Sequence, residues 1–201
     1  MAAISIFDYG GGNLQSVQNT LGAIGAEYRV IRRADEVRAA TALILPGVGH
    51  FGQMMRALAA SGVDGAIKER IAGGVPFLGI CLGLQALFEA SEEAPDLPGF
   101  ALFQGRVRRF CGEARVPHMG WNSLARVRES KLLKGTGETP YLYFANSYYA
   151  PVVDATAASC AYAAEFTAVL EHNNMFGVQF HPEKSGPSGL RVVKNFVDLC
   201  S

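Results

Sequence analysis

The chain has 201 residues, 49% hydrophobic and 18% charged, which is enough apolar material for a core and too little charge for a disordered chain. Its 18 basic and 18 acidic residues cancel, so no net charge attracts nucleic acid or an anionic membrane. No apolar stretch approaches the roughly 20 residues of a bilayer-spanning helix, and a signal-peptide pattern is missing at the start. We expect one domain over residues 1–201, located in the cytoplasm with its cysteines reduced.

The first half alternates between continuous apolar runs and segments with helical spacing of apolar residues. Continuous apolar runs suit parallel strands that are buried on both faces. The alternation therefore predicts an α/β fold with an open, mostly parallel sheet. The predicted strands are 3–7, 28–31, 41–45 and 75–80, and the predicted helices are 14–24, 53–60 and 63–72.

The second half contains short alternating runs separated by glycine, proline and asparagine. This pattern predicts antiparallel hairpins added to the central sheet, then a strand at 176–180. Apolar residues at helical spacing predict a closing helix over 190–199. The alternating runs are 103–110, 141–149, 161–166 and 169–170.

The sharpest local signal is Gly79-Ile80-Cys81-Leu82-Gly83, where a buried-type strand runs into a cysteine and a helical pattern extends to residue 89. Glycines two positions on either side of a nucleophile are typical of a strained strand-to-helix turn. The helix N-terminus favours the thiolate, and the Leu82 amide is predicted to stabilise an oxyanion. A lone cysteine is more often structural, but the flanking glycines favour a nucleophile here.

A thiol nucleophile requires a base, and His181 follows an apolar strand in Gln179-Phe180-His181-Pro182-Glu183. Residues two apart in an extended chain point the same way, so we expect His181 and Glu183 both to face the site. This predicts a Cys81–His181–Glu183 triad in which the carboxylate orients the imidazole. A histidine that only caps backbone groups at a strand end is the alternative.

Two glycine-rich loops follow predicted strands. In Pro46-Gly47-Val48-Gly49, the amide of Val48 or Gly49 is a candidate second oxyanion donor, although an ordinary turn explains the same residues. Gly10-Gly11-Gly12-Asn13 departs from the dinucleotide-binding pattern because Gln15 stands where the third glycine is required. We interpret it as a loop of close approach, and we expect no cofactor and no metal.

The segments Gly-Ile-Cys-Leu-Gly-Leu-Gln at 79–85 and His-Pro-Glu at 181–183 resemble the class I glutamine amidotransferases. Further motifs narrow the resemblance to the glutaminase subunits of imidazole glycerol phosphate synthases. The resemblance implies a three-layer α/β fold, a mostly parallel central sheet and antiparallel additions in the second half. The further motifs span residues 8–14, 46–52, 116–122 and 181–185.

The resemblance implies that the chain hydrolyses L-glutamine to glutamate and ammonia through a glutamyl thioester on Cys81. It also implies a heterodimer with a cyclase subunit, a (β/α)8 barrel that receives the ammonia. That partner makes imidazole glycerol phosphate and aminoimidazole-carboxamide ribotide in histidine biosynthesis. Matching positions assign the substrate ammonium to Glu93. The other implied substrate-binding residues are Gly49, Gln85, Ser147 and Tyr148.

The resemblance further assigns a docking surface for the barrel. Pro117, Met119 and Trp121 look like an apolar group with no helical or strand period, for which a loop packed on the core is the alternative. Lys184 matches a family residue beside the ammonia passage, and a solvated lysine is the other interpretation. Asn146 stands where the family often has histidine, which puts any role of that imidazole in doubt.

Three other functions stay open at this stage. They are a glutaminase serving a different synthase, such as one for surface-sugar amidation, a free-standing cysteine hydrolase, and a catalytically silent binding subunit. The resemblance also implies near-idle hydrolysis until the partner binds its ligand. We therefore expect the loop 46–49 to reorient before its amide serves the oxyanion.

Overall fold

The computed structural model describes residues 3–11 and 13–200. Its first-half strands are β1 (Ile4–Phe7), β2 (Tyr28–Ile31), β3 (Leu43–Gly47), β4 (Phe77–Cys81) and β5 (Phe88–Ser91). The later strands are β6 (Phe103–Arg109), β7 (His118–Ser123), β8 (Ala125–Arg126), β9 (Tyr141–Asn146), β10 (Tyr148–Tyr149), β11 (Thr156–Ala161), β12 (Glu165–His172) and β13 (Met175–Val178).

The helices are α1 (Leu14–Ala23), α2 (Ala34–Arg38), α3 (Phe51–Ala60), α4 (Val63–Ala72), α5 (Leu82–Gln85) and α6 (Gly186–Leu199), with a 3-10 turn at Pro182–Lys184. Within residues 3–11 and 13–200, no helix is long and apolar enough to cross a bilayer. The predicted α1, α4 and β2 lie within a residue of their observed bounds, because each combines clear periodicity with a flanking glycine or polar break.

An eight-stranded sheet forms the centre of the fold, in the order β2-β1-β3-β4-β13-β12-β11-β8. The first five strands in this order are parallel, and β12, β11 and β8 continue it antiparallel. The predicted mostly parallel sheet with antiparallel additions is confirmed. The order also places β13 beside β4, although the two strands are far apart in the chain.

Side chains on the two faces of this sheet enter two separate hydrophobic clusters. In β3, Ile44 packs into one cluster, while Leu43 and Leu45 pack into the other. The first cluster also contains apolar residues of α1 and α6, and the second contains those of α2, α3 and α4. The result is the expected three-layer arrangement of helices, sheet and helices.

Several predicted elements of the second half are wrong in detail. The run 161–166 is a hairpin turn between β11 and β12, closed by the Tyr162 amide on the Ala164 carbonyl. The run 141–149 is interrupted at Ser147, and it belongs to small separate sheets of order β7-β9 and β10-β6-β5. Alternating apolar residues without glycine or proline hid the turn, because the pattern alone does not mark where the chain reverses.

The helix predicted after Cys81 is also too long. Only α5 is helical, and the chain then enters β5, which pairs parallel with β6. Residues Leu84, Leu87 and Phe88 are buried, and a short run of buried apolar residues fits a helix or a strand equally well.

We predict that Gly83→Ala lowers the free energy of unfolding by about 3 kcal/mol. The added methyl group would press against the backbone of β3 and force β3 and α5 apart. A Cβ at Gly83 would lie 2.0 Å from the Leu45 carbonyl oxygen. The matched control is Gly65→Ala in α4, where a Cβ meets nothing within 4 Å. That change should raise stability by about 0.5–1 kcal/mol. Urea unfolding measures both, and equal effects would contradict the close packing at Gly83.

Candidate active site

Cys81 ends β4 in a backbone conformation that is rare for a non-glycine residue, with φ 55° and ψ −105°. Its neighbours allow this bend only because they lack side chains. A Cβ at Gly79 would lie 2.3 Å from the Gly83 carbonyl oxygen, and a Cβ at Gly47 would lie 2.5 Å from the Leu82 Cβ. The predicted strained turn is present, and it brings the sulfur to the wall of a pocket of about 370 Å³.

His181 follows β13, the strand beside β4, so the two ends meet at one edge of the sheet. The His181 Nδ1 lies 2.8 Å from the Glu183 Oε1, and both side chains are buried. The predicted pairing is present, but its reason was wrong. The residues that follow His181 form a 3-10 turn rather than an extended strand, and this turn folds Glu183 back onto the imidazole.

The charge state of His181 is set by its two neighbours. Burial by itself would lower the pKa of His181, but hydrogen bonds to the Cys81 sulfur and to Glu183 outweigh it and raise the pKa to about 10. Because Nδ1 faces Glu183, Nε2 is the nitrogen left for the sulfur. A positively charged imidazole beside a cysteine sulfur, held by a carboxyl group on its other side, is the arrangement that activates a cysteine nucleophile.

Two residues around the triad were not singled out from the sequence. The Gln179 amide nitrogen lies 3.5 Å from the Cys81 sulfur, and the Asn13 amide nitrogen lies 3.5 Å from the Glu183 Oε1. Gln179 is fully buried, and its own amide oxygen accepts from Gln85 at 3.1 Å. A glutamine inside the otherwise apolar run 176–180, predicted as a strand, was the available signal, since a buried amide needs polar partners.

The pocket collects every residue that the sequence assigned to substrate binding. Gly49, Gln85, Glu93, Ser147 and Tyr148 all line it together with Cys81 and His181. The Gln85 and Asn146 amide oxygens are buried acceptors without a hydrogen-bond partner in the described part of the chain. Buried acceptors of this kind are costly unless a ligand donates to them. The lining therefore suits a substrate rich in N–H groups.

The family model of class I glutamine amidotransferases matches residues 5–200. The chain belongs to this family. A HisH subunit of imidazole glycerol phosphate synthase from Methanothermobacter thermautotrophicus is 48% identical over 98% of both chains. The HisH subunit from Deinococcus radiodurans is 45% identical over 96% of this chain and 92% of its own. The solved structure of PurLQS from Thermotoga maritima has a TM-score of 0.77 and 18% identity over 100% of both chains, which supports the fold.

These relatives place the chain among the HisH subunits, and the family model identifies it as a glutamine amidotransferase enzyme. The resemblance seen in its sequence motifs is confirmed. The roles of individual residues remain predictions that rest on the geometry around Cys81.

The Glu93 carboxylate binds the backbone of the protein as well as lining the pocket. Its Oε2 accepts the Phe51 amide at 2.7 Å and so caps the first turn of α3, while the side chain also lines the pocket. One carboxylate therefore ties the start of α3 to the substrate pocket. Glu93 still presents its negative charge to the pocket, which is what the predicted contact with the substrate ammonium requires.

The two predicted oxyanion donors, the amides of Leu82 and Val48, differ in their surroundings. Leu82 is the first residue of α5 and lines the pocket beside Cys81. The Val48 amide instead donates to the Tyr9 hydroxyl at 3.0 Å. In this arrangement Val48 is not an available oxyanion donor, so its predicted role requires the loop reorientation expected from the sequence.

The predicted docking residues are divided between the pocket and an exposed ribbon. Pro117 and Lys184 line the pocket, whereas Met119 and Trp121 are exposed on β7. The sequence interpretation that this segment has no strand period is wrong. Outward residues at 119 and 121 alternate with inward ones in β7, which pairs antiparallel with β9. Glycine at 120 and the short length of the run obscured this alternation.

The remaining cysteines do not line the substrate pocket. Burial raises the pKa of Cys160 and of Cys200 to about 12, while Cys111 lies exposed on the surface. Among residues 3–11 and 13–200, no group of three His, Cys, Asp or Glu side chains is placed to hold a metal ion.

We predict that iodoacetamide, a small primary amide, alkylates Cys81 at a nearly constant rate between pH 7 and pH 9. The raised pKa keeps His181 protonated until about pH 10, so a positive charge stays beside the Cys81 sulfur across this range and favours its attack. In His181→Ala the rate at pH 7 should fall about tenfold or more and climb with pH. Peptide mass spectrometry measures the label, and His172→Ala, remote from the pocket, is the control. A pH profile unchanged by His181→Ala would contradict the ion pair.

Proposed function

We propose that the chain is the glutaminase domain, over residues 1–201, of an imidazole glycerol phosphate synthase. It hydrolyses L-glutamine and delivers the ammonia to a cyclase subunit in the cytoplasm. The observation that carries this proposal is the meeting of Cys81, His181 and Glu183 at the wall of a polar pocket, in a chain of the HisH group.

The first half of the reaction forms a covalent intermediate. The Cys81 thiolate attacks the side-chain carboxamide carbon, and the carbonyl electrons move onto the oxygen, facing the Leu82 amide. His181 then gives its proton to the amide nitrogen. The carbon–nitrogen bond breaks, ammonia leaves, and a γ-glutamyl thioester remains on Cys81.

The second half regenerates the thiolate. His181, now neutral, takes a proton from water as the water oxygen attacks the thioester carbon. The carbon–sulfur bond breaks, the Cys81 thiolate leaves, and glutamate departs. Glu183, 2.8 Å from the ring, holds the imidazole in one orientation through both halves.

Substrate recognition follows from the polar lining of the pocket. The Glu93 carboxylate is the anion for the α-ammonium of glutamine, and the unpartnered oxygens of Gln85 and Asn146 accept N–H groups. Backbone and side-chain groups of Gly49, Ser147 and Tyr148 complete the contact surface. Asn146 replaces the imidazole common in the family with a neutral acceptor.

The partner surface is the outward face of β7 and β9. Met119, Trp121 and Tyr141 are 66%, 47% and 57% exposed there, and such aromatic and methionine clusters are typical of interface cores. The Lys184 ammonium lies over the Tyr143 ring at 5.8 Å and also lines the pocket. Lys184 thus stands where the pocket meets this face, on the proposed route of ammonia into the (β/α)8 barrel.

A glutaminase that serves a different synthase, such as one for surface-sugar amidation, is the second candidate. It would use the same triad and pocket, so the two candidates differ only in the protein that binds the β7–β9 face. A free-standing hydrolase is less consistent with the exposed aromatic residues on that face. Co-purification of a cyclase barrel or of another synthetase distinguishes the candidates.

We predict that Cys81→Ala reduces glutamine-dependent cyclisation by more than about a thousandfold, because the covalent intermediate cannot form. Ammonium salts should still support cyclisation by the complex at the unaltered rate. Cys111→Ala, a change at the exposed cysteine, is the matched control. Both rates are followed by product formation with the cyclase and its ribotide ligand. Retained glutamine hydrolysis in Cys81→Ala would overturn the assignment of the nucleophile.

We predict that Trp121→Ala weakens the heterodimer by about tenfold or more, since a large exposed aromatic residue at the centre of an interface contributes about 2 kcal/mol. Calorimetric titration with the cyclase subunit measures the effect. Val127→Ala, at another exposed apolar position, is the control and should leave the affinity unchanged. Equal affinities for all three proteins would place the partner elsewhere.

A further inference from the structure

The Tyr9 hydroxyl makes two hydrogen bonds to one residue of the predicted oxyanion loop. It accepts the Val48 amide at 3.0 Å and donates to the Val48 carbonyl at 2.8 Å. Burial raises the pKa of Tyr9, so the hydroxyl keeps the proton that the second bond requires. A single side chain therefore satisfies both backbone groups of Val48.

The position of Tyr9 is fixed by its own surroundings. The Gly10 amide donates to Asp8 at 2.9 Å, and Asp8 forms an ion pair with Arg32 at 2.8 Å. A Cβ at Gly11 would lie 2.7 Å from the Tyr9 ring, so only glycine leaves room for the ring there. Gly10 and Gly11 thus have a structural task, which is to hold this tyrosine against the loop 46–49.

The segment on which Tyr9 acts is short and anchored on both sides. Gly47 packs against Leu82, and the Phe51 amide is bound by Glu93. Between these anchors, Gly49 has φ +91°, a conformation that glycine adopts without strain. The peptide groups on either side of Val48 are therefore the part of the pocket wall that is best able to rotate.

The same segment separates two cavities. On one side is the substrate pocket, which Val48 and Gly49 line together with Cys81. On the other side is a smaller cavity of about 200 Å³, lined by Tyr9, Gly10 and Gly11 as well as Val48 and Gly49. Space on both sides allows a peptide to turn from one cavity to the other without disturbing the core.

We propose that Tyr9 is a positioning residue that binds the Val48 peptide in an orientation unsuited to oxyanion stabilisation and thereby restrains glutamine hydrolysis. This inference rests on the proposed function. Release of both hydrogen bonds lets the Val48 amide turn toward the carbonyl oxygen held at Cys81. The restraint is a difference in energy between two loop orientations, so removing the hydroxyl shifts the population toward the competent one.

The kinetic test uses Tyr9→Phe, which keeps the ring and removes only the hydroxyl. In the chain without a partner, kcat for glutamine hydrolysis should rise about tenfold with KM unchanged. In the complex with the cyclase and its ribotide ligand, kcat should match that of the unaltered protein, so the activation ratio falls about tenfold. Tyr162→Phe is the matched control, because the Tyr162 hydroxyl donates to the Arg115 carbonyl at 2.8 Å, outside the pocket.

A second variant reaches the same state by another route. Gly11→Ala places a methyl group against the Tyr9 ring and should raise basal kcat in the same direction. Thermal unfolding of each variant reports whether the fold is kept. An unchanged or lowered basal kcat in a folded Tyr9→Phe protein would overturn the proposal, since a merely structural tyrosine would not restrain turnover.

Hydrogen exchange separates the failure of this inference from the failure of the proposed function. In the isolated chain, NMR should show that the Val48 amide exchanges about tenfold faster in Tyr9→Phe, with no change in Tyr162→Phe. Equal exchange rates would overturn the restraint whatever the activity. If the unaltered complex failed to hydrolyse glutamine, the proposed function would fall, while the exchange rates would still report on the contact between Tyr9 and Val48.

Discussion

A cysteine held at φ 55° is the constraint on which the rest of the site depends. A conformation of this kind costs on the order of 1–3 kcal/mol and persists only where the surrounding structure enforces it. Gly47, Gly79 and Gly83 allow the close packing that enforces it, because at each of them a Cβ would meet backbone or side-chain atoms closer than 3.0 Å. The bend between β4 and α5 puts the sulfur at the pocket, and α5 starts with Leu82, the proposed oxyanion donor.

The order of strands supplies the other half of the chemistry. Because β13 pairs parallel with β4, the chain leaves both strands at the same edge of the sheet, where Cys81 and His181 meet. A 3-10 turn then returns Glu183 to the imidazole within two residues. The ammonium of Lys184, the next residue, lies over the Tyr143 ring of β9, beside the exposed β7–β9 face. The places of four proposed functional residues thus follow from one strand pairing and one tight turn.

Much of this was accessible from the sequence, and the exceptions have physical reasons. The strained turn around Cys81 could be predicted because few other structures require glycine two residues before and two residues after a cysteine. The length of the following helix and the strand β7 could not, because short buried runs carry no unambiguous period. Gln179 and Tyr9 were missed for a different reason. Their contacts span 98 and 39 positions of the chain, so the local pattern marked Gln179 only as an unusual polar residue and identified neither contact.

The pairing of His181 with Glu183 was predicted correctly from a wrong local geometry. The expectation assumed an extended chain, whereas proline at 182 starts the 3-10 turn. Residue types and spacing identified the partners, while the backbone path between them depended on tertiary packing. The candidate site is therefore better predicted by the chemistry of its side chains than by the conformation of the segments that carry them.

In the proposed mechanism, Cys81 itself carries the glutamyl group during turnover. Acid quenching of the complex during steady-state hydrolysis of L-glutamine, followed by peptide mass spectrometry, tests it directly. We expect a mass increase equal to one γ-glutamyl group on the peptide that contains Cys81. Turnover without any adduct at that cysteine, or with the adduct on Cys111, Cys160 or Cys200, would contradict it.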